Sequence, residues 1–371
     1  MKCTLKIAYG LAMTPSDVAQ RRFHNQHIAG TAFRKVSDVV EWMGAVQAQE
    51  YLASLWAVGL RTRDAIEQDI EQAVCDRTIV RTWPMRGTLH FVVPADLRWM
   101  LKFLAPRVIA RNASRYRQLN LEGDAFLKCR AVLARALQGG KQLTRLELAT
   151  ALELAGMATS GERLMHIIVR AAMEGLICHG ARRNKQFTFA LLDEWVRVTD
   201  DLTKDEALAQ LARRYFASHG PATLQDFKWW SGLTMAEVKA GVDSVDSHFK
   251  KATMDGRTHW FAKDASSIRD VQPAAYLLPA FDEFLVGYKD RNAVLGGNDN
   301  RHPRQRNAGG MLGPTIVING RVVGTWKRTL NKGSVIIAPK PFISLSKTEK
   351  QAVSRAAIRY GAFLGLQLVL A

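Results

Sequence analysis

The stretch LTRLELATALELAGMATSGERLMHIIVRAAMEGLICHGARRNKQFTFALL, residues 143–192, decides how the fold is read. It opens on Thr144-x-x-Glu147, a pairing whose side-chain oxygens satisfy orphan amides at a helix start. The leucines and alanines that follow predict one helix. GERLMHIIVRAAMEG, after a turn, predicts a second. LICHGARRNKQFTFALL then reads as two short β-rich runs around a basic tip, Ala181 to Lys185. Helix, helix, hairpin is the order of a winged helix, a variant of helix-turn-helix whose hairpin is the wing. Arg182, Arg183 and Lys185 on that tip are candidates to reach phosphates.

The same order recurs on either side. Upstream, SDVVEWMGA (37–45) and AIEQDIEQAVCD (65–76), the latter opened by Asp64-x-x-Glu67, are expected helices. They precede TIVRTWPMRGTLHFVV (78–93), two β-rich runs bent at Pro84–Gly87. Downstream, PATLQDFKWWSGLTMAEVKAGVD (221–243) reads as helix, SGL turn and helix, with Thr234-x-x-Glu237 opening the second. RTHWFAKD (257–264) is its remaining β-edge. No fixed period links the three, so the likeness is one of order and not of a solenoid. Past Gln272 the chain turns strand-rich. Asn319-Gly320 is a strong hairpin signal, and Ser346-x-x-Glu349 opens a last helix, KTEKQAVSRAAIRYGAFL. The expected fold is therefore α+β: tandem winged-helix (helix-turn-helix) units with a C-terminal β-rich region. The expected boundaries are 1–118, 119–200 and 201–270 for the three units and 271–371 for the β-rich domain with its final helix.

Charge is the first functional clue. Among 371 residues, Lys+Arg number 52 against 34 Asp+Glu, a formal +18. A charge this large favours polyanions, nucleic acid first. The excess is arginine-rich, as in RVIARNASRYR (107–117), and the arginine fork suits phosphate and base edges. The Gly-, Arg- and Asn-rich piece from Asn292 to Gly313 reads as a long loop, either a disordered connector or a binding loop; its charge favours the second, with Arg301, Arg304 and Arg306 as candidate phosphate contacts. No run of about 18 uncharged apolar residues is present, so no membrane helix is expected. The N-terminal apolar patch is too short and interrupted for a secretory signal. The four cysteines form no Cys-x-x-Cys pair, which fits a reducing cytoplasm and indicates no zinc site or disulfide framework.

VQAQE, Val46 to Glu50, places two glutamines two apart just past a helix that Gly44 should end. On an extended segment both amides share a face; on a helix they would not. The segment is read as a short extended connector. Read alone, the two amides are two surface glutamines.

Three segments together resemble a known family: VQAQE, RTWPMRGTLHFV (81–92) about thirty residues later, and LLPAFDEFLVGYKDR (277–291) with VINGRVVGTWKR (317–328). In this order they are similar to the AlkZ-like winged-helix DNA glycosylases, over nearly the whole chain from about residue 15. The resemblance implies tandem winged helices in a C shape around DNA, with a C-terminal β-barrel-like part. It implies a Gln-x-Gln catalytic motif, which falls on Gln47 and Gln49. It also implies a monofunctional N-glycosylase that excises cationic N7- or N3-alkylated purines, interstrand crosslinks among them, with little or no full base extrusion. The partner implied is double-stranded DNA carrying alkylated bases. A chain that encloses DNA by itself is expected to be a monomer, associated with the nucleoid. No cofactor and no metal are expected.

The chemistry suits amides. A purine alkylated at N7 or N3 leaves as a neutral base, so no strong general acid is needed. The transition state resembles an oxocarbenium ion and needs a held water and a negative dipole. A glutamine carbonyl supplies an acceptor and its NH₂ orients a neighbour. Glu50, the nearest carboxylate, points away on an extended segment and suits a helix N-terminus instead. Arg86 at the bend and His90, which shares a strand face with Thr88, are candidate DNA contacts. Trp83, Asp282 and Arg291 are candidates for the cleft, with a core tryptophan and a carboxylate–arginine ion pair at Asp282 or Asp290 as the blander readings. The rival functions are a winged-helix regulator or architectural protein without chemistry, and an RNA- or ribosome-associated protein.

Overall fold

The computed structural model describes residues 11–30, 33–197, 201–263, 274–296 and 313–371. Helix–helix–sheet order appears three times. In the first third, the helices Val36–Met43, Tyr51–Gly59 and Glu67–Cys75 accompany a sheet in which Thr88–Val92 lies between Val46–Gln47 and Val80–Met85. In the second, Asp124–Leu137, Arg145–Leu154 and Arg163–Met173 accompany Thr188–Leu191, which lies between Leu143–Thr144 and Ile177–His179. In the third, Lys204–His219, Leu224–Ser231 and Met235–Asp243 accompany Phe249–Met254, flanked by Arg257–Ala262 and by the N-terminal Leu11–Ala12, which pairs in parallel.

The C-terminal part is a five-stranded curled sheet, in the order Ala275–Leu278, Thr315–Ile318, Arg321–Asn331, Ser334–Pro341 and Gln367–Leu370. It is an open half-barrel with two edges, not a closed barrel. The helix Lys347–Leu364 covers it, setting Tyr360 and Phe363 edge-on or tilted against Trp56 of the first third.

The local signals explain the elements. The capping boxes at Thr144/Glu147, Thr234/Glu237 and Ser346/Glu349 form as expected. Thr14/Asp17, Thr203/Glu206 and Thr223/Asp226 add three more of the same kind. Asp64 does not cap its helix. Its backbone is left-handed, at φ 52, and the helix instead begins at Glu67, with the Asp69 carboxylate accepting from the Ile66 N–H. Three hairpins turn on consecutive left-handed residues, Arg86-Gly87 (φ 57 and 78), Asp255-Gly256 (φ 48 and 71) and Asn319-Gly320 (φ 50 and 78), the geometry that matches strand twist in a two-residue loop.

The first sheet stands between two cores. Trp83, Met85 and Leu89 join the core shared with the second and third units. Val46, Ala48 and Phe91 join the core shared with the C-terminal sheet. The glutamine motif lies on the edge strand of that partition.

Candidate active site

Gly44 ends the preceding helix with φ 75, and Val46–Gln47 follows as a strand antiparallel to Thr88–Val92, with Gln47 opposite His90. The Ala48 N–H donates to Leu89 O at 2.7 Å. Gln47 and His90 are thus a non-hydrogen-bonded pair, the kind whose side chains approach most closely on one face. The extended reading holds for Val46–Gln47, while Gln49 and Glu50 lie in a bend.

Just past Gln47 the ladder breaks. Arg81 turns its guanidinium onto Ala48 O, with Nε at 3.1 Å and Nη2 at 2.9 Å. The Leu89 N–H, left without that carbonyl, donates to Gln49 Oε1 at 3.3 Å. Gln49 is exposed, and its amide oxygen completes the sheet. Gln47 differs: its Oε1 is shielded from solvent and accepts no hydrogen bond among the described residues. Glu50 is exposed at the N-cap of Tyr51–Gly59 and makes no side-chain cap bond.

Around Gln47 the sheet face is polar. Thr82 and His90 are paired across the hairpin, and the Thr82 and Thr88 hydroxyls are buried without partners among the described residues. His90 is fully buried. Its Nδ1 lies 2.9 Å from Thr88 O and its Nε2 lies 3.2 Å from Arg86 Nη2. One tautomer satisfies both contacts: Nδ1–H donates to Thr88 O, and Nε2 accepts from Arg86. Burial first, then the Arg86 guanidinium, pushes the imidazole pKa down to about 4, so the ring is neutral at pH 7. Burial also lowers the Arg86 pKa, and Glu283 opposes it.

Three remote segments close on this face. Glu283 of the Glu283–Val286 helix accepts the Gln47 N–H at Oε1 (3.0 Å) and the Trp230 indole N–H at Oε2 (3.2 Å). His219 Nε2 lies 3.5 Å from Glu283 Oε2. Trp230 lies against Gly44, where a Cβ would sit 3.4 Å from the indole ring. Among the described residues, no group of three or more His, Cys, Asp or Glu side chains is arranged to hold a metal ion.

The other candidates fare unevenly. Arg86 is aimed inward at His90 and not outward at a backbone phosphate, and His90 is sealed from solvent; both belong to the wall of the Gln47 site, not to an open DNA surface. Trp83 is 6% exposed, packed in the core, and stacks on His179 at 5.2 Å. Asp282 is not in a cleft. It is 1% exposed, and Arg61 grips both its oxygens at 2.8 and 2.9 Å, the expected ion pair. Asp290 pairs with Arg257 at 2.8 Å. Arg291 turns back to donate to Leu285 O at 2.6 Å. On the hairpin tip, Arg182 is half-buried on Glu71, and Arg183 forks onto Glu147 of the helix cap. Lys185 is exposed. Arg301, Arg304 and Arg306 lie outside the described residues.

The sequence reading missed Glu283, Trp230 and Arg81. Glu283 lies in an apolar run, AFDEFLV, and an acidic residue that such a run carries inside was the available signal. Trp230 lies in the core, and its indole N–H pointed at a carboxylate has no signature in the sequence.

Residues 40–363 match the family model described as DNA glycosylase AlkZ-like. A curated relative from Streptomyces sahachiroi, an interstrand DNA cross-link repair glycosylase, is 26% identical over 357 residues, which is 91% of this chain and 94% of the relative. The solved structure of the Streptomyces sahachiroi DNA glycosylase AlkZ superposes with a TM-score of 0.79 at 23% identity, covering 97% of this chain and 100% of that one. Among the described residues no helix is long and apolar enough to cross a membrane.

Proposed function

Since the chain belongs to the DNA glycosylase AlkZ-like family and is a DNA glycosylase, we propose that it hydrolyses the N-glycosidic bond of cationic N7- or N3-alkylated purines, interstrand crosslinks included, with Gln47 as the principal catalytic side chain. The observation that carries this reading is the solvent-shielded Gln47 Oε1, on a polar sheet face and without a partner among the described residues. An acceptor in that state is the group a substrate or its attacking water would meet.

In the proposed step the C1′–N bond breaks and its electron pair neutralises the positively charged base, which departs without being protonated. Water bonds to C1′ from the other side and releases a proton to solvent, leaving an abasic site. Gln47 Oε1 orients the water and lends partial negative charge to the oxocarbenium-like sugar. The Gln49 NH₂, whose oxygen is engaged with Leu89, is the donor of the pair. His90, neutral and bonded at both nitrogens, holds the wall and moves no proton at pH 7. VQAQE contains no lysine, so no Schiff-base lyase step is assigned there.

The three helix–sheet units, bounded as 1–118, 119–200 and 201–270 except that Leu11–Ala12 joins the third sheet, are read as winged helices that line duplex DNA, with 271–371 as the C-terminal β-rich domain. The enzyme is read as a nucleoid-associated cytoplasmic monomer. The test is base release from a duplex with one N7-alkylguanine or one crosslink, with heat depurination subtracted. Release by the wild type and not by Gln47→Ala supports the reading. Equal release by both overturns the site assignment. Tight duplex binding without release from any adduct favours a binding protein.

A further inference from the structure

The glutamine motif has no carboxylate of its own, yet the transition state it serves is cationic. The fold brings one in from 236 residues away. We propose that Glu283 is the positioning carboxylate of this active site: it fixes the Gln47 main chain and supplies the buried negative charge that faces the developing oxocarbenium ion. The inference rests on the assignment of Gln47 given above.

Edge strands normally leave every second N–H to water. Here the outward N–H of Gln47 is taken by Glu283 Oε1 at 3.0 Å. The other oxygen takes the Trp230 N–H at 3.2 Å, with His219 at its side. The carboxylate is 1% exposed. Burial alone would raise its pKa, but His219 and then Arg86 outweigh that and hold it below the usual range. Its place along the chain is fixed by its neighbour: Asp282, clamped by Arg61, caps the short helix by accepting from the Phe284 N–H at 3.0 Å. Removing this charge would leave buried donors with no acceptor. Glutamine cannot replace it, because both oxygens accept and an amide offers only one. A negative charge held in a low-dielectric wall acts over several ångströms with little screening. No catalytic contact with substrate is assigned to Glu283; it acts through Gln47 and through its field.

The test uses the full-length protein and three duplexes. One carries N7-alkylguanine; the others carry a cationic pyrrolidine or a neutral tetrahydrofuran in place of the lesion sugar. Glu283→Gln is expected to slow single-turnover release about 100-fold, with the affinity for the tetrahydrofuran duplex unchanged. The wild type is expected to prefer the pyrrolidine duplex to the tetrahydrofuran duplex, and Glu283→Gln to lose that preference. Glu283→Asp, which keeps the charge, is expected to retain part of it. Because the preference is a ratio within each protein, a partly folded variant still reports it. A Glu283→Gln variant with wild-type release and preference overturns the inference while Gln47→Ala remains slowed. If Gln47→Ala releases base at the wild-type rate, the underlying site assignment is what fails.

Discussion

Gln49 stands in for a backbone carbonyl. Its Oε1 accepts the Leu89 N–H at 3.3 Å because Arg81 has drawn Ala48 O away. The two glutamines are therefore not interchangeable. Gln47→Ala is expected to lower single-turnover excision about 100-fold and to leave the melting temperature close to that of the wild type. Gln49→Ala is expected to lower excision and also to cost about 1 kcal/mol of stability, from the stranded amide. Denaturant midpoints beside excision rates separate the two. Equal stability losses in both variants would contradict the asymmetry.

His90 should leave a mark on the pH dependence of stability. Its pKa is about 4 in the folded protein and about 6.5 in the unfolded chain. Between those values the unfolded state binds a proton that the native state does not. Stability is therefore full above about pH 6.5 and falls as pH drops toward 4, by up to about 1.4 kcal/mol per pH unit for one group. His179, His219 and His259 are lowered too and add to the slope. Denaturation of His90→Gln at three pH values in this window should show one group's share of the slope missing. An unchanged slope would mean the ring titrates normally.

The Arg61–Asp282 pair is a buried fork, with side chains 2% and 0% exposed. Asp282→Ala strands the guanidinium and is expected to cost about 3–5 kcal/mol, read from the denaturant midpoint. A loss under 1 kcal/mol would show that the pair is not the buttress it resembles.

On the second hairpin, Lys185→Ala is expected to weaken duplex binding evenly across sequences and to reduce the salt slope by about one. Arg183→Ala should change the slope less, since its guanidinium is already committed to Glu147. Binding isotherms at several salt concentrations decide this. Equal slope changes would place both cations on the phosphates.

The order of elements was legible wherever a local rule set it. Thr144/Glu147, Gly44 and Asn319-Gly320 each carry their conformation in two to four residues. The helix Tyr51–Gly59 was not seen, because YLASLWAVG is apolar on nearly every side and has no stripe to betray a period. Gln47 and Gln49 stood out only by resemblance to a family; two amides have no chemical signature alone. Arg86 and His90 were read as DNA contacts, and their turning toward each other depends on packing that no spacing encodes. Glu283 and Trp230 act on the site through folds of the chain that only the tertiary structure brings together.

The Gln47–Glu283 hydrogen bond closes a loop of 236 residues. Contacts of that span form late, since the loop entropy must be met before they return anything. A chain still emerging from synthesis would hold its hairpins and their cations before the strand bearing Gln47 was pinned. Competence to cut a glycosidic bond thus arrives with completion of the chain, after the basic surface that would bring it to DNA.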